Sequence, residues 1–204
     1  VGDEIDLIGP IGQPFKIKNY KKYPLLIGGG VGIPPMIFLA EHIKNTTKNL
    51  SPLILMGSEI PFPFKIQPSK IMLKEMPADV IASMPLLDDW GIPSRLTSLN
   101  DYAGCFNGYV TELASIWLEK LDDDQRQEVE IFSCGPTPML KAVSELANKY
   151  DLPCQVSLEE YMACAVGGCA GCTVLIKTEN GNAMKRVCVD GPVFEAKSVV
   201  QFQN

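Results

Sequence analysis

Tyr23-Pro24-Leu25-Leu26-Ile27-Gly28-Gly29-Gly30-Val31-Gly32-Ile33-Pro34-Pro35-Met36 is an uncharged run in which an apolar stretch gives way to glycines and then to two prolines. Carried on to Ala40, it approaches the ~20 residues of a membrane helix. The glycines and prolines inside it forbid a single regular apolar helix. It reads instead as a strand from Tyr23 to Ile27, a loop, and a helix opened by Pro34 and Pro35, since proline suits a first helical turn. Met36, Leu39, Ala40 and Ile43 then share one helix face. No membrane segment is expected.

The same alternation continues downstream. Leu53 to Met56 reads as a second buried strand, and Val80 to Ala82 and Ile92 to Leu96 as weaker ones. Val110, Leu113, Ala114, Trp117, Leu118 and Leu121 mark an amphipathic helix with Asn107 or Thr111 as cap. Val129 to Phe132 is another strand, Met139, Val143, Leu146 and Tyr150 mark the helix after it, and Val156 to Leu158 is the last strand. Strands alternating with helices predict an α/β fold with a doubly wound parallel sheet. Such sheets bind ligands at the carboxyl ends of their strands, where Gly28 to Pro34 and Cys134 to Met139 both fall.

Upstream, Gly2-Asp3-Glu4-Ile5-Asp6-Leu7-Ile8 alternates at period two and ends in Gly9-Pro10-Ile11-Gly12, the pattern of a strand entering turns. This predicts the tail of a β domain, and a start at Val1 without methionine predicts a piece of a longer protein. Pro61 to Pro68, with three prolines and two phenylalanines, reads as a surface loop. After Glu159 the chain turns glycine- and cysteine-rich. The expected division is residues 1–18, 19–160 and 161–204.

Composition limits the function classes. With 204 residues, 46% hydrophobic and 21% charged, the chain can build a packed core. Eighteen basic against twenty-four acidic residues give a net charge of −6, which argues against a nucleic-acid partner. Seven cysteines without a signal peptide point to a reducing compartment, the cytoplasm, and to a local use for thiolates.

Cys164, Cys169 and Cys172 form a C-x4-C-x2-C run, and Cys188 follows after fifteen residues. This is the plant-type spacing for a [2Fe–2S] cluster. The small residues between them, Ala165, Val166, Gly167, Gly168, Ala170 and Gly171, let a loop wrap the cluster and turn its N–H groups toward sulfur. A Rieske centre needs two histidines, and His42 is alone. Structural zinc is the competing reading, although zinc ribbons use two separated C-x2-C pairs. Cys105 and Cys154 read as small buried hydrophobes, and His42 as a surface or packing residue.

Gly28, Gly29, Gly30 and Gly32, followed by Pro34, stand where backbone amides and a helix start can hold a pyrophosphate. Ser133-Cys134-Gly135-Pro136-Thr137-Pro138-Met139 ends one strand and opens another helix, and its small turn lets a flat ring approach Cys134. Together these two turns resemble the pyridine-nucleotide domain of the ferredoxin reductase superfamily. Ser157 to Cys164, the cysteine run, and Val187-Cys188-Val189-Asp190-Gly191-Pro192-Val193-Phe194 are similar to the electron-transfer subunits of NAD-linked dihydroorotate dehydrogenases. The resemblance covers essentially the whole chain.

That resemblance implies a remnant of an FAD-binding β-barrel (1–18), an NAD domain (19–160) and a [2Fe–2S] domain (161–204). It implies electron transfer between NAD(H), FAD and the cluster to or from an FMN-containing catalytic subunit that interconverts dihydroorotate and orotate, in pyrimidine biosynthesis. Cys164, Cys169, Cys172 and Cys188 would be the cluster ligands. Gly28, Gly29, Gly30, Gly32 and Pro34 would hold the dinucleotide phosphates, and Cys134, Gly135 and Pro136 would lie beside the nicotinamide, with Cys134 as the catalytic residue. Gly9 and Gly12 would border the flavin, and Glu159 would order the cluster loop or form a salt bridge. Two departures stand out. The Arg-Pro-x-Ser flavin motif is missing, so FAD belongs to the intact protein and the isolated chain is expected to be inactive. Ser98-Leu99-Asn100-Asp101-Tyr102-Ala103 replaces the family's Asp-Asp-Gly turn. Ser58-Glu59, with no arginine nearby, favours NAD over NADP. The rival readings are a related reductase subunit serving ferredoxin or a hydrogenase, and a zinc-stabilised binding module.

Overall fold

Residues 2, 4–17, 21–47 and 49–203 are described in a computed structural model. Val1, Asp3 and Lys18 of the expected first segment, Asn19 and Tyr20 of the second, and Lys48 and Asn204 lie outside them. The chain runs β1 (Tyr23–Gly29), α1 (Ile33–Thr46), β2 (Leu53–Gly57), β3 (Gln67–Pro68), β4 (Ala82–Ser83), α2 (Pro85–Asp89), β5 (Ser94–Ser98) and β6 (Phe106–Asn107). It continues with α3 (Val110–Lys120), α4 (Asp123–Gln127), β7 (Val129–Cys134), α5 (Thr137–Lys149), β8 (Cys154–Ser157), β9 (Thr173–Thr178), β10 (Gly181–Arg186) and β11 (Val193–Glu195).

Seven strands form one sheet in the order β11-β8-β7-β1-β2-β5-β6. All neighbours are parallel except β11, which runs antiparallel to β8. Parallel strands covered on both faces read as unbroken apolar runs, which is why Leu25-Leu26-Ile27 and Leu53 to Met56 carry no polar alternation. Leu26, Ile54, Met56 and Phe132 point to one face, where α1 covers them with Ile33, Met36, Ala40 and Ile43. Each such burial is worth about 1.5–3 kcal/mol. Leu25, Ile27, Leu55 and Ile131 point to the other face, under α3 and α5. This is the doubly wound architecture that the sequence predicts.

The cysteine-rich segment has no core of its own. Val174, Ile176, Val187, Val199 and Phe202 join the cluster of buried residues under α5, and β11 extends the main sheet. One row of partners crosses four strands, Gly28 to Cys134 to Ser157 to Val193. It links the glycine loop, the Cys-Gly-Pro turn and the segment that follows Cys188.

Several local expectations need correction. No strand forms among the described residues of Gly2 to Ile8, where Ile5, Leu7 and Ile8 are 76, 84 and 81% exposed. Alternation marks a sequence able to pair, but a strand also needs an edge to pair with, and this segment first meets one in the bridge from Gln13 to Pro192. Pro61 to Pro68 is not merely a surface loop: Phe62 is buried against the α1 face, packed on Phe64 with ring centroids 5.3 Å apart. The start of α3 uses neither Asn107 nor Thr111; the N–H of Tyr109 donates to the Glu112 carboxylate at 2.6 Å. Met139 and Tyr150 lie at the margin of the buried face of α5, whose centre is Leu140, Val143 and Ala147.

Candidate cofactor and cluster sites

The order β7-β1-β2 makes β1 the point where the sheet reverses its winding, so the loops after β1 and β7 leave in opposite directions and open a crevice. Gly30 has φ +53 with open space on its Cβ side, while a methyl group on Gly32 would run into the carbonyl of Cys134. The glycine loop and the Cys-Gly-Pro turn therefore pack directly on each other.

Beside them lies a cleft of about 660 Å³ lined by Gly29, Gly30, Ser58, Glu59, Pro136 and Met139, and by the exposed Ile60, Leu99 and Tyr109. Glu59 is the one residue charged at neutral pH among its described lining residues. Gly28, Gly32, Pro34, Cys134 and Gly135 are not among the lining residues. Cys134 lies half-buried beside Ser157 and Glu159, and burial, more than any other influence, pushes its thiol up.

The turn after β2 is fixed from β5. Ser98 donates to the Ser58 carbonyl at 2.8 Å and the Asn100 side chain donates to the Glu59 carbonyl at 2.9 Å. Two side-chain hydrogen bonds thus hold the Ser58-Glu59 turn. Sequence reasoning had Ser58 and Glu59 but missed Ser98 and Asn100 as their supports, because a long-range side-chain bond leaves no local pattern.

The four cluster-spacing cysteines come together in two pairs. The N–H of Cys169 donates to Cys164 Sγ at 3.4 Å. Cys172 precedes β9 and Cys188 follows β10, so the hairpin returns the chain to its start. Thr173 pairs with Arg186, and the Cys188 N–H donates to Cys172 Sγ at 3.4 Å. The fifteen intervening residues are that hairpin and its flanks.

Amide N–H groups surround these sulfurs. Cys164 is pulled down to about 6, first by the N–H of Cys169 and then by those of Val166 and Gly168 and by the Cys169 side chain. Cys172 is lowered mainly by the Cys188 N–H, whereas burial pushes Cys188 up, aided by the neighbouring Cys172 thiol. Left-handed residues turn the loop inward, and they are Ala165 and Ala170 as well as Gly167. Left-handed alanines cost of order 1 kcal/mol each, so surrounding contacts must hold them. Among the described residues no three acid, thiol or imidazole groups converge on one point as a mononuclear metal site requires. Two thiol pairs with converging amides fit a binuclear cluster, which takes two thiolates at each iron.

Of the Gly9 to Gly12 turn, Gly12 packs on this site. Gly12 has φ +85, and a methyl group there would stand 3.0 Å from the Cys188 carbonyl. The Gln13 N–H donates to the Gly191 carbonyl at 2.5 Å. Gly9 has open space beside it. Cys154 is buried and strongly raised by burial, Cys105 is half-buried and raised for the same reason, and His42 is exposed on α1.

The family model described as the iron-sulfur cluster binding domain of dihydroorotate dehydrogenase B matches residues 159–200. Over 199 residues the chain is 34% identical to the dihydroorotate dehydrogenase B (NAD(+)), electron transfer subunit, of Caldanaerobacter subterraneus subsp. tengcongensis, spanning 98% of this chain and 67% of that one. The chain belongs to this family of electron transfer subunits. The subunit of the same name from Shouchella clausii is 32% identical over 202 residues, spanning 98% of this chain and 66% of its own. The chain therefore spans about two thirds of the length of these relatives. A solved structure of an NADH-dependent reduced ferredoxin-NADP oxidoreductase, reported for flavin-based electron bifurcation, superposes with a TM-score of 0.67 at 27% identity, covering 96% of this chain and 59% of its own. No helix among the described residues is long and apolar enough to cross a membrane.

Proposed function

We propose that this chain is the NAD- and cluster-binding part of an electron-transfer subunit that works with an FMN-containing catalytic subunit oxidising dihydroorotate. The observation that carries the reading is the meeting of four thiols in two amide-lined pairs. Their segment is joined by the Gly28-Cys134-Ser157-Val193 row to a nucleotide-type cleft. When bound, nicotinamide exchanges electrons as a hydride pair, the cluster passes them singly, and the flavin of the intact protein converts one into the other.

The chain's own residues bind and orient. Cys164 with Cys169, and Cys172 with Cys188, would ligate the two irons. Gly28 to Gly32 and Pro34 would cradle the pyrophosphate at the start of α1, with Cys134, Gly135 and Pro136 beside the nicotinamide. Gly12, lying on the Cys188 carbonyl, would carry the flavin side of the site toward the cluster, with Gly9 next to it. Glu59 would meet the adenosine ribose.

The test is anaerobic co-purification of the full-length protein with its catalytic partner. The complex should contain iron and sulfide and should oxidise dihydroorotate with NAD. The Cys188→Ser complex should still be reduced by dihydroorotate at its FMN while NAD reduction is lost. A wild-type complex lacking iron, or a variant that still reduces NAD, overturns the reading. A second reading, a subunit serving a ferredoxin, draws on the likeness to the ferredoxin-NADP oxidoreductase. Higher identity over an equal span favours the first.

A further inference from the structure

Arg186 closes β10 two residues before Cys188, and its side chain turns back toward the cysteine loop. Its backbone N–H and its Nε both donate to one oxygen of Asp190, at 2.8 and 3.2 Å. Its Nη1 donates to the carbonyl of Gly167 at 2.8 Å. The Asp190 N–H donates in return to the Arg186 carbonyl at 2.8 Å. A guanidinium braced at Nε by a carboxylate cannot swing freely, so the bond from Nη1 is directional as well as charge-assisted.

The Gly167 carbonyl shares a planar peptide with the N–H of Gly168, and in a trans peptide the two point in opposite directions. Gly167 and Gly168 lie between Cys164 and Cys169, in the loop whose Cys169 N–H donates to Cys164 Sγ at 3.4 Å, and the N–H groups of Gly168 and Gly167 favour the Cys164 and Cys188 thiolates. Holding that carbonyl therefore turns a donor toward one thiol pair. Gly167 is matched to the arrangement: its φ is +82, and a methyl group there would press on Val189 at 3.1 Å and on Arg186 Nη1 at 3.3 Å.

We propose that Arg186 is a positioning residue of the cluster site, gripping the Gly167 carbonyl so that the loop from Gly167 to Cys169 keeps its N–H groups turned toward Cys164 Sγ, and in this way raising the reduction potential of the cluster. The inference rests on the cluster reading above. Hydrogen bonds to ligating sulfurs stabilise the more negative, reduced state and so set the potential. A cation on the carbonyl polarises the peptide and strengthens its N–H. The charge of Arg186 acts in the same sense.

The experiment compares full-length wild-type protein with Arg186→Lys and Arg186→Gln, all loaded anaerobically. The readouts are iron and sulfide per chain, the midpoint potential from a mediated redox titration, and the electron paramagnetic resonance spectrum of the reduced cluster. The expected result is full iron content in all three, potentials falling in the order wild type, Arg186→Lys, Arg186→Gln, and shifted g-values in Arg186→Gln. An Arg186→Gln protein with full iron and an unchanged potential and spectrum overturns the proposal. Should Arg186→Gln lose its cluster, Arg186→Lys decides. An ammonium cannot grip Asp190 and the Gly167 carbonyl in the same forked way, so a wild-type potential and spectrum in that variant also overturn it. A wild-type protein that takes up no iron sinks the cluster reading itself, a failure distinct from unresponsive variants on a loaded wild type.

Discussion

Cys172 and Cys188 stand at the two feet of one hairpin, tied by a 2.9 Å bond from the Val187 N–H to the Cys172 carbonyl and by the approach of the Cys188 N–H to Cys172 Sγ. Both are buried, at 3 and 6% exposure, whereas Cys169 is exposed. The inner pair is thus set by the strand register of β9 and β10, and the outer pair by the left-handed loop.

Substitution should separate these two origins. Cys188→Ser in the full-length protein is expected to lower iron retention by at least the ten- to hundred-fold typical of weakened metal sites, with the hairpin intact. Iron and sulfide analysis beside far-ultraviolet circular dichroism checks both halves. Retention of wild-type iron would remove Cys188 from the ligand set.

Gly32→Ala should damage the nucleotide site without touching the cluster. The added methyl meets the Cys134 carbonyl and the Gly135 N–H, backbone atoms that cannot step aside, so a stability loss of about 1–3 kcal/mol is expected. Denaturant midpoints measure it, and NAD titration should show weakened binding while the iron content stays at the wild-type level.

Glu59 should select against a 2′-phosphate. It is the charged residue of the cleft, held by the Ser98 and Asn100 bonds to its turn. Glu59→Gln is expected to narrow the preference for ADP-ribose over its 2′-phosphorylated form by roughly tenfold, equivalent to about 1.4 kcal/mol. Asn100→Ala should weaken binding of both forms by loosening the turn. Calorimetric titration with the two redox-inert ligands checks this, and an unchanged ratio in Glu59→Gln would count against the role.

Thiol ionisation gives a pH signature in protein stripped of iron. Cys164 lies at about 6, below the ordinary thiol value of roughly 8.5, because N–H groups favour its anion. A group depressed on folding contributes stability that is complete above its unfolded value and is lost as pH falls through its folded value. The stability difference between wild type and Cys164→Ser should therefore be largest above pH ~8.5 and shrink as the pH falls to about 6. At pH ~7, mapping of iodoacetamide adducts should find Cys164 modified and Cys154, buried and raised, protected until unfolding.

The central sheet was readable because burial on both faces writes itself into the chain as continuous apolar strands, and α1 and α3 because their apolar residues recur at helical spacing. The four cysteines stood out by their spacing, but their pairing did not, because it depends on the β9–β10 hairpin that carries Cys188 back to Cys172. The α3 cap was not readable, because it comes from Glu112 reaching back to a backbone N–H that any residue at position 109 would offer. Neither was the burial of Phe62, nor the exposure of Ile5, Leu7 and Ile8, because each depends on what lies beside the segment. The left-handed turns were assigned to glycine in general, yet Ala165 and Ala170 adopt them.

The row Gly28-Cys134-Ser157-Val193 fixes a distance. Two strand spacings, roughly 10 Å of backbone, separate the Cys-Gly-Pro turn from the strand after the cysteines. That interval is built into the hydrogen-bonded lattice of the sheet. The Cys-Gly-Pro turn and the segment after the cysteines therefore cannot separate without unzipping the β8–β11 edge of the sheet.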